Sequence, residues 1–168
     1  MIEIEISNQQ DAYPVDEPRL VSAAHRVLQG EGIRTGIISV AIVDDATIHE
    51  LNRRYLQHDY ATDVLSFVLE ENEDHLEGEV IVSADTAAAN CARFGWSLGD
   101  ELLLYVVHGM LHLAGCDDHS PADQQVMRER EKHYLSSFGV QARYEEALED
   151  ASLQPDDDTP TPGAEDVP

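Results

Sequence analysis

Apolar residues recur along this chain with two different periods, and the switches between them mark out nine elements. Residues 1–7 alternate Ile with Glu, the period-two pattern of a strand with one buried face. Residues 18–29 carry Leu20, Val21, Ala24, Val27 and Leu28 at helical spacing, and Gly30 and Gly32 end that helix. Residues 36–43, GIISVAIV, form a β-branched run and predict a buried strand. Asp45 is placed to cap a helix running through Gln57, with Ile48, Leu51, Tyr55 and Leu56 as its buried side. Two more strands are predicted over 64–69 and 79–83, joined by the acidic loop ENEDHLEG at 71–78. A helix over 85–94, closed by Gly95, follows them.

The next helix is apolar on almost every side. Ser97 is its predicted N-cap, with Asp100 three residues on in a variant of the capping box. It runs to about Ala114, where Gly115 can take a left-handed stop. Ser120-Pro121, with Asp123 behind them, starts a last helix that reaches about Phe138. The order is strand, helix, strand, helix, strand, strand, helix, helix, helix. It predicts an α+β fold: a small mixed sheet of about four strands packed with helices, one of them central and buried. Residues 1–149 read as one domain. Residues 150–168 are acidic and Pro-rich with almost nothing to bury, and are expected to be a disordered tail.

Composition narrows the classes. A chain of 168 residues, 42% of them hydrophobic, supports one core. Its apolar runs fall well short of the roughly 18 residues of a membrane span, so no membrane is expected. The start, MIEIEISN, lacks the basic and apolar blocks of a signal peptide, and two cysteines make no disulfide framework. The cytosol is the expected compartment. The charge is unusual: 34 acids stand against 10 Lys plus Arg, a net of −24. Nine acids and one Arg from Val140 onward hold −8 of it, which leaves −16 on the body. Such a surface repels polyanions and argues against broad non-specific nucleic-acid binding.

One polar stripe interrupts the apolar helix: Glu101, Tyr105, His108 and His112, spaced four, three and four residues apart on one face. Polar groups in a buried position need partners. Two histidines at i and i+4 can each aim a nitrogen at one ion. Beyond them Gly115 lets the chain turn back and bring Asp117, Asp118 or His119 to the same point. Three protein ligands with an open position suit a catalytic metal. The plainer alternative has both rings as core histidines satisfied by carbonyls or by Glu101. In zinc proteases of the His-Glu-x-x-His type, the glutamate is the general base. Here that position is Gly109, so protease activity is not expected.

The segment HGMLHLAGCDDH (108–119) resembles the His-Gly-x-Leu-His-Leu-x-Gly-x-Asp signature of the YbeY endoribonuclease (rRNA maturation factor) family. NRRYLQHDYATDVLSF (52–67) resembles that family's Asn-x-x-Tyr … Thr-Asp-Val-Leu-Ser-Phe block, and GEVIVSAD (78–85) its Gly-Asp-Ile strand. The resemblance covers most of residues 35–139. It implies an α+β fold, a site for one zinc ion, and a single-strand-specific endoribonuclease that matures the 3′ end of small-subunit rRNA and serves ribosome quality control. Its partners would be rRNA and the ribosomal small subunit. The family's third histidine falls on Asp118, with His119 next in the chain. Either the loop holds one extra residue and His119 ligates, or Asp118 does so as a carboxylate. His119 is the expected ligand beside His108 and His112, because imidazole suits zinc, with Asp118 as the alternative. Asp117 and Arg54 are the candidate catalytic residues: Asp117 for proton transfer or for orienting a ligand, Arg54, or Arg53 beside it, for holding phosphate in place of the family's usual Arg, where this chain has Leu56. Two rival functions are a non-catalytic, ribosome-associated metal-binding factor and a metal hydrolase of a small substrate other than RNA.

Overall fold

The computed structural model describes residues 1–142. The expected tail from residue 150, and the end of the expected domain over 143–149, lie outside the described residues. The elements are β1 (Ile2–Asn8), α1 (Glu17–Gly30), β2 (Thr35–Val43), α2 (Asp45–Leu56), β3 (Val64–Glu71), β4 (His75–Ser83), α3 (Ala84–Phe94), α4 (Leu98–Leu113) and α5 (Pro121–Ser136). They occur in the predicted order. The sheet runs β1-β2-β4-β3, with β1, β2 and β4 parallel and β3 antiparallel to β4. The fold is therefore α+β around one mixed four-stranded sheet. No helix among the described residues is long and apolar enough to cross a membrane.

Strand parity divides the sheet into two faces. Ile38, Val40, Leu76, Val80, Val82 and Val64 point to the large core shared with α1, α3, α4 and α5. Val43, Leu65 and Ile81 point the other way and meet Ile48 of α2, with Leu51, Leu56 and Phe67 half-buried around them. Helix α4 is the centre of the larger core, packed by α1, α3 and α5 and by strands β3 and β4. It comes closest to the sheet at Gly109, where a Cβ would stand 2.6 Å from Cγ1 of Val80 and 3.3 Å from Oγ of Ser66. Ser66 Oγ itself donates to the Gly109 carbonyl at 3.3 Å. A side chain at position 109, such as the glutamate of the protease pattern, would collide with Val80 unless the strand or helix shifted.

Three expectations are corrected. The acidic loop expected over 71–78 shrinks to three residues, because β3 extends to Glu71 and β4 begins at His75. The two form a longer hairpin with a register shift between Val68 and Glu70, which the charged, exposed ends of the strands did not suggest. Asp44, not Asp45, caps α2: its side chain accepts from the Thr47 N–H at 2.8 Å, while Asp45 is already helical. Tyr55 is 61% exposed rather than buried. It sits in the last turn of α2, where its ring meets Phe67 edge-on at 6.0 Å.

Candidate metal centre

The site begins with the end of α4. Gly115 takes φ +102°, and the chain closes as a Schellman motif, with Cys116 N–H donating to Leu111 O at 2.9 Å and Gly115 N–H to His112 O at 3.0 Å. That turn reverses the chain within a few residues, and Ser120 then starts α5 by accepting from the Asp123 N–H at 3.0 Å. Between these two fixed ends, Asp118 is carried back over the last turns of α4.

His108, His112 and Asp118 converge. Nε2 of His108 lies 2.9 Å from Nε2 of His112. Oδ2 of Asp118 lies 3.6 Å from the first and 3.4 Å from the second. Ligand atoms held at about 2.0–2.1 Å from one tetrahedral ion stand about 3.3–3.4 Å from each other. The three observed separations bracket that value, so a small cation fits between them with little adjustment. Two further atoms at the site are unsatisfied: His112 Nδ1 and Asp118 Oδ1 are buried and have no hydrogen-bond partner among the described residues. The donor set, two imidazoles and one carboxylate, is one that zinc accepts with a fourth position left open.

Nδ1 of His108 is 2.6 Å from Oε2 of Glu131, a carboxylate on α5 whose side chain is 6% exposed. Burial opposes a charge on His108, but the carboxylates of Glu131, Asp63 and Asp118 outweigh it and bring the ring up to about 9. Burial also opposes the charge on Asp118, and the His112, His108 and His119 rings around it still hold its carboxyl below the usual range. Asp63 completes the surroundings from the start of β3, where its Oδ1 accepts from Val64 N–H at 2.8 Å and from Thr62 Oγ at 3.2 Å. Farther up the stripe, Glu101 is buried and accepts from the Trp96 indole at 2.7 Å, and Asn90 donates to the Tyr105 hydroxyl at 2.8 Å. The polar stripe of α4 is therefore met by Asn90 of α3, Trp96 before α4, Glu131 of α5 and Asp118 after α4, with His112 Nδ1 left without a partner among the described residues. Glu101 pairs with Trp96 rather than with the histidines.

The structure treats the predicted site residues unequally. His108 and His112 are brought together with Asp118. His119 lies on the outer side of the loop, its side chain 51% exposed, with Nε2 3.2 Å from Oδ1 of Asp117. Those two residues and Asp118 also keep their ligand atoms within 4.8 Å of one another. Arg54 is exposed on α2 with its guanidinium 3.4 Å from Glu50. Leu56 is half-buried against Val43, Ile48, Leu65 and Ile81. Glu131 and Asp63 were not singled out as site residues by sequence reasoning. A signal for Glu131 existed: it lies on the buried side of an otherwise polar helix, one turn from Met127 and Tyr134. A second group, Glu70, His75 and Glu77, lies near the hairpin turn, where His75 is held by Thr35 at 2.7 Å and Glu77 at 3.0 Å.

The chain matches, over residues 5–139, the sequence model of a family described as Endoribonuclease YbeY. It is 40% identical over 141 residues to the Endoribonuclease YbeY of Carboxydothermus hydrogenoformans, covering 82% of this chain and 98% of that one. A relative of the same name from Moorella thermoacetica is 40% identical over 155 residues, covering 83% of this chain and 99% of the other. Among solved structures, the solution structure of the Thermotoga maritima protein TM1509 superposes with a TM-score of 0.57 at 27% identity, over 95% of this chain and all of that one.

Proposed function

Because the chain belongs to the Endoribonuclease YbeY family, we propose that it is a zinc-dependent endoribonuclease specific for single-stranded RNA. It acts in the cytoplasm on the 3′ end of small-subunit rRNA and in ribosome quality control. The observation that carries the metal dependence is the approach of His108 Nε2, His112 Nε2 and Asp118 Oδ2 to within 2.9–3.6 Å of one another at the end of a buried helix. In this reading Asp118 is the third ligand, in the family's own register, and His119 is not.

His108, His112 and Asp118 would hold a zinc ion, which would supply Lewis-acid chemistry toward phosphate or water. The chain's residues do the rest. His108 and His112 from α4 and Asp118 from the returning loop supply the three donor atoms. Asp117 and His119, paired at 3.2 Å and both half-exposed beside the ligands, form the proton-handling couple. Asp117 orients the ring, and His119 moves the proton of the attacking water or 2′-hydroxyl. Arg54 takes a phosphate of the substrate strand. Its exposed pairing with Glu50 at 3.4 Å is worth little and is easily exchanged for phosphate.

The same acidity favours a second reading, a metal hydrolase of a small substrate or a ribosome-bound factor without catalysis. Purified full-length protein should cleave single-stranded RNA in the presence of zinc, lose that activity to a chelator and regain it on adding zinc back. Cleavage that survives the chelator, or that persists in His112→Ala, would sink the proposal. Small phosphoesters that compete with RNA on equal terms would favour the small-substrate reading.

A further inference from the structure

We infer that Glu131 is the positioning residue of this metal centre: it sets which nitrogen of His108 faces the ion and balances the site's charge. The inference rests on the metal-binding reading above.

Helix α5 is mostly polar, and its buried positions are Met127, Glu131, Tyr134 and Leu135. The first, third and fourth are packing residues. Tyr134 also ties α5 to α1 by donating its hydroxyl to Glu31 at 2.6 Å. Glu131 is a carboxylate set among them, 4% exposed. A carboxylate is taken out of water only where a partner meets it, and the partner here is His108 Nδ1 at 2.6 Å. An ionised carboxylate can only accept, so Nδ1 must carry the hydrogen. The lone pair of the neutral ring is then at Nε2, the nitrogen that faces His112 Nε2 and Asp118 Oδ2.

The other imidazole has no such support. His112 Nδ1 is buried and without a hydrogen-bond partner among the described residues. The two ligands from α4 are thus unequal, and the carboxylate acts on one of them. The charges agree with this role. Two neutral imidazoles and Asp118 would leave a divalent cation with an uncompensated charge of +1 in a buried place. Glu131, with Asp63 also acting on His108, supplies the negative charge that offsets it.

The test is Glu131→Gln in the full chain, which keeps the shape and a carbonyl acceptor but removes the charge. Zinc affinity measured by competition with a chromophoric chelator should fall about 10–100-fold, the usual effect of removing a partner behind a ligating histidine. The cobalt-substituted variant should show a changed d–d spectrum. A role confined to joining α4 to α5 would lower the melting temperature of the metal-free protein and leave the affinity of the folded protein at the wild-type value, and that result overturns the inference. Wild-type protein supplies a readout that needs no variant: in the zinc-loaded state, ¹⁵N resonances of His108 should show a protonated Nδ1 and a metal-bound Nε2. Ligation through Nδ1 refutes the inference. Should the wild type take up no zinc at all, the metal reading fails first and this one with it.

Discussion

Replacing Gly109 by alanine should loosen α4 from the sheet and weaken the metal site together. The added Cβ would stand 2.6 Å from Val80 Cγ1 and 3.1 Å from Cγ2. Carbon atoms prefer about 3.5–4.0 Å, so the deficit is close to an ångström. Val80 cannot yield readily: it is fully buried in β4 and its branched side chain has little χ1 freedom. Overpacking of this kind costs about 1–3 kcal/mol, and the better helix propensity of alanine returns up to about 1 kcal/mol. A net loss of about 1–2 kcal/mol corresponds to a drop of about 2–8 °C in melting temperature. His108 precedes the strained position by one residue and His112 follows it by three. A lift of the helix therefore carries both rings away from Asp118, and metal ligands tolerate only about 0.2 Å of error. Zinc affinity should fall with stability. Gly99→Ala in the first turn of α4 is the control, since its Cβ meets nothing closer than Arg19 Nη1 at 3.5 Å, and it should be neutral or slightly stabilising. Adding Val80→Ala to Gly109→Ala should cost less than the two changes separately, with a coupling of about 0.5–3 kcal/mol. Thermal melts and chelator competition on the four variants read all of this. A Gly109→Ala protein with wild-type melting and zinc binding, or a strictly additive double mutant, would refute the steric account.

Three other outcomes follow from the site. Asp118→Ala should lose zinc by at least the 10–100-fold that removing an outer partner costs, while His119→Ala should bind zinc like wild type in the same titration; the reverse pair of results assigns the ligand to His119. Glu101→Gln should stabilise the protein at pH 8 and not at pH 5: burial pushes the Glu101 carboxyl up to about 7 from 4.5, so the folded state loses stability as pH rises across that window. The difference, read by thermal melts, approaches about 3 kcal/mol above pH 7. His108 has the same sign in a higher window, because its pairing stabilises the metal-free fold fully below pH 6.5 and is lost as pH rises through about 9. A proton on that ring competes with zinc, so affinity should climb about tenfold per pH unit up to about pH 9, and a plateau already reached at pH 6.5 would contradict it.

What the amino-acid pattern disclosed about the fold was whatever local periodicity controls. Helices α1, α4 and α5 carry their own caps in Asp16, Ser97 and Ser120, each accepting from an N–H three residues on. The boundaries of α4 and α5 were legible within a residue or two for that reason, and those of α1 from its apolar spacing and the glycines at its end. The hairpin of β3 and β4 was not, because the end of β3 over 68–71 is exposed and charged, and the start of β4 offers Leu76 alone as an apolar residue before Val80. Tyr55 misled for a related reason: helical spacing places it beside Leu51, but burial depends on how far β3 extends beneath the end of α2.

The site divides along the same line. Two imidazoles one turn apart on a helix are a local fact, and the glycine stop that follows them is another, so the pair and the return of the chain could be read directly. The choice between Asp118 and His119 was not local. It depends on the angular position of each residue after the Schellman turn, and α5 holds the far end of that loop by its cap at Ser120. One residue of difference turns a side chain from a position 11% exposed, over the helix end, to one 51% exposed, outside it. Glu131 is more remote still: its place beside His108 arises from the crossing of α4 and α5, which no spacing between residues 108 and 131 encodes. A buried acid on the apolar side of a polar helix is nonetheless a visible anomaly, and burying it requires a partner that is cationic, hydrogen-bonding or metal-polarised. The same requirement that identified the histidine stripe on α4, when applied to α5, points back to the same centre.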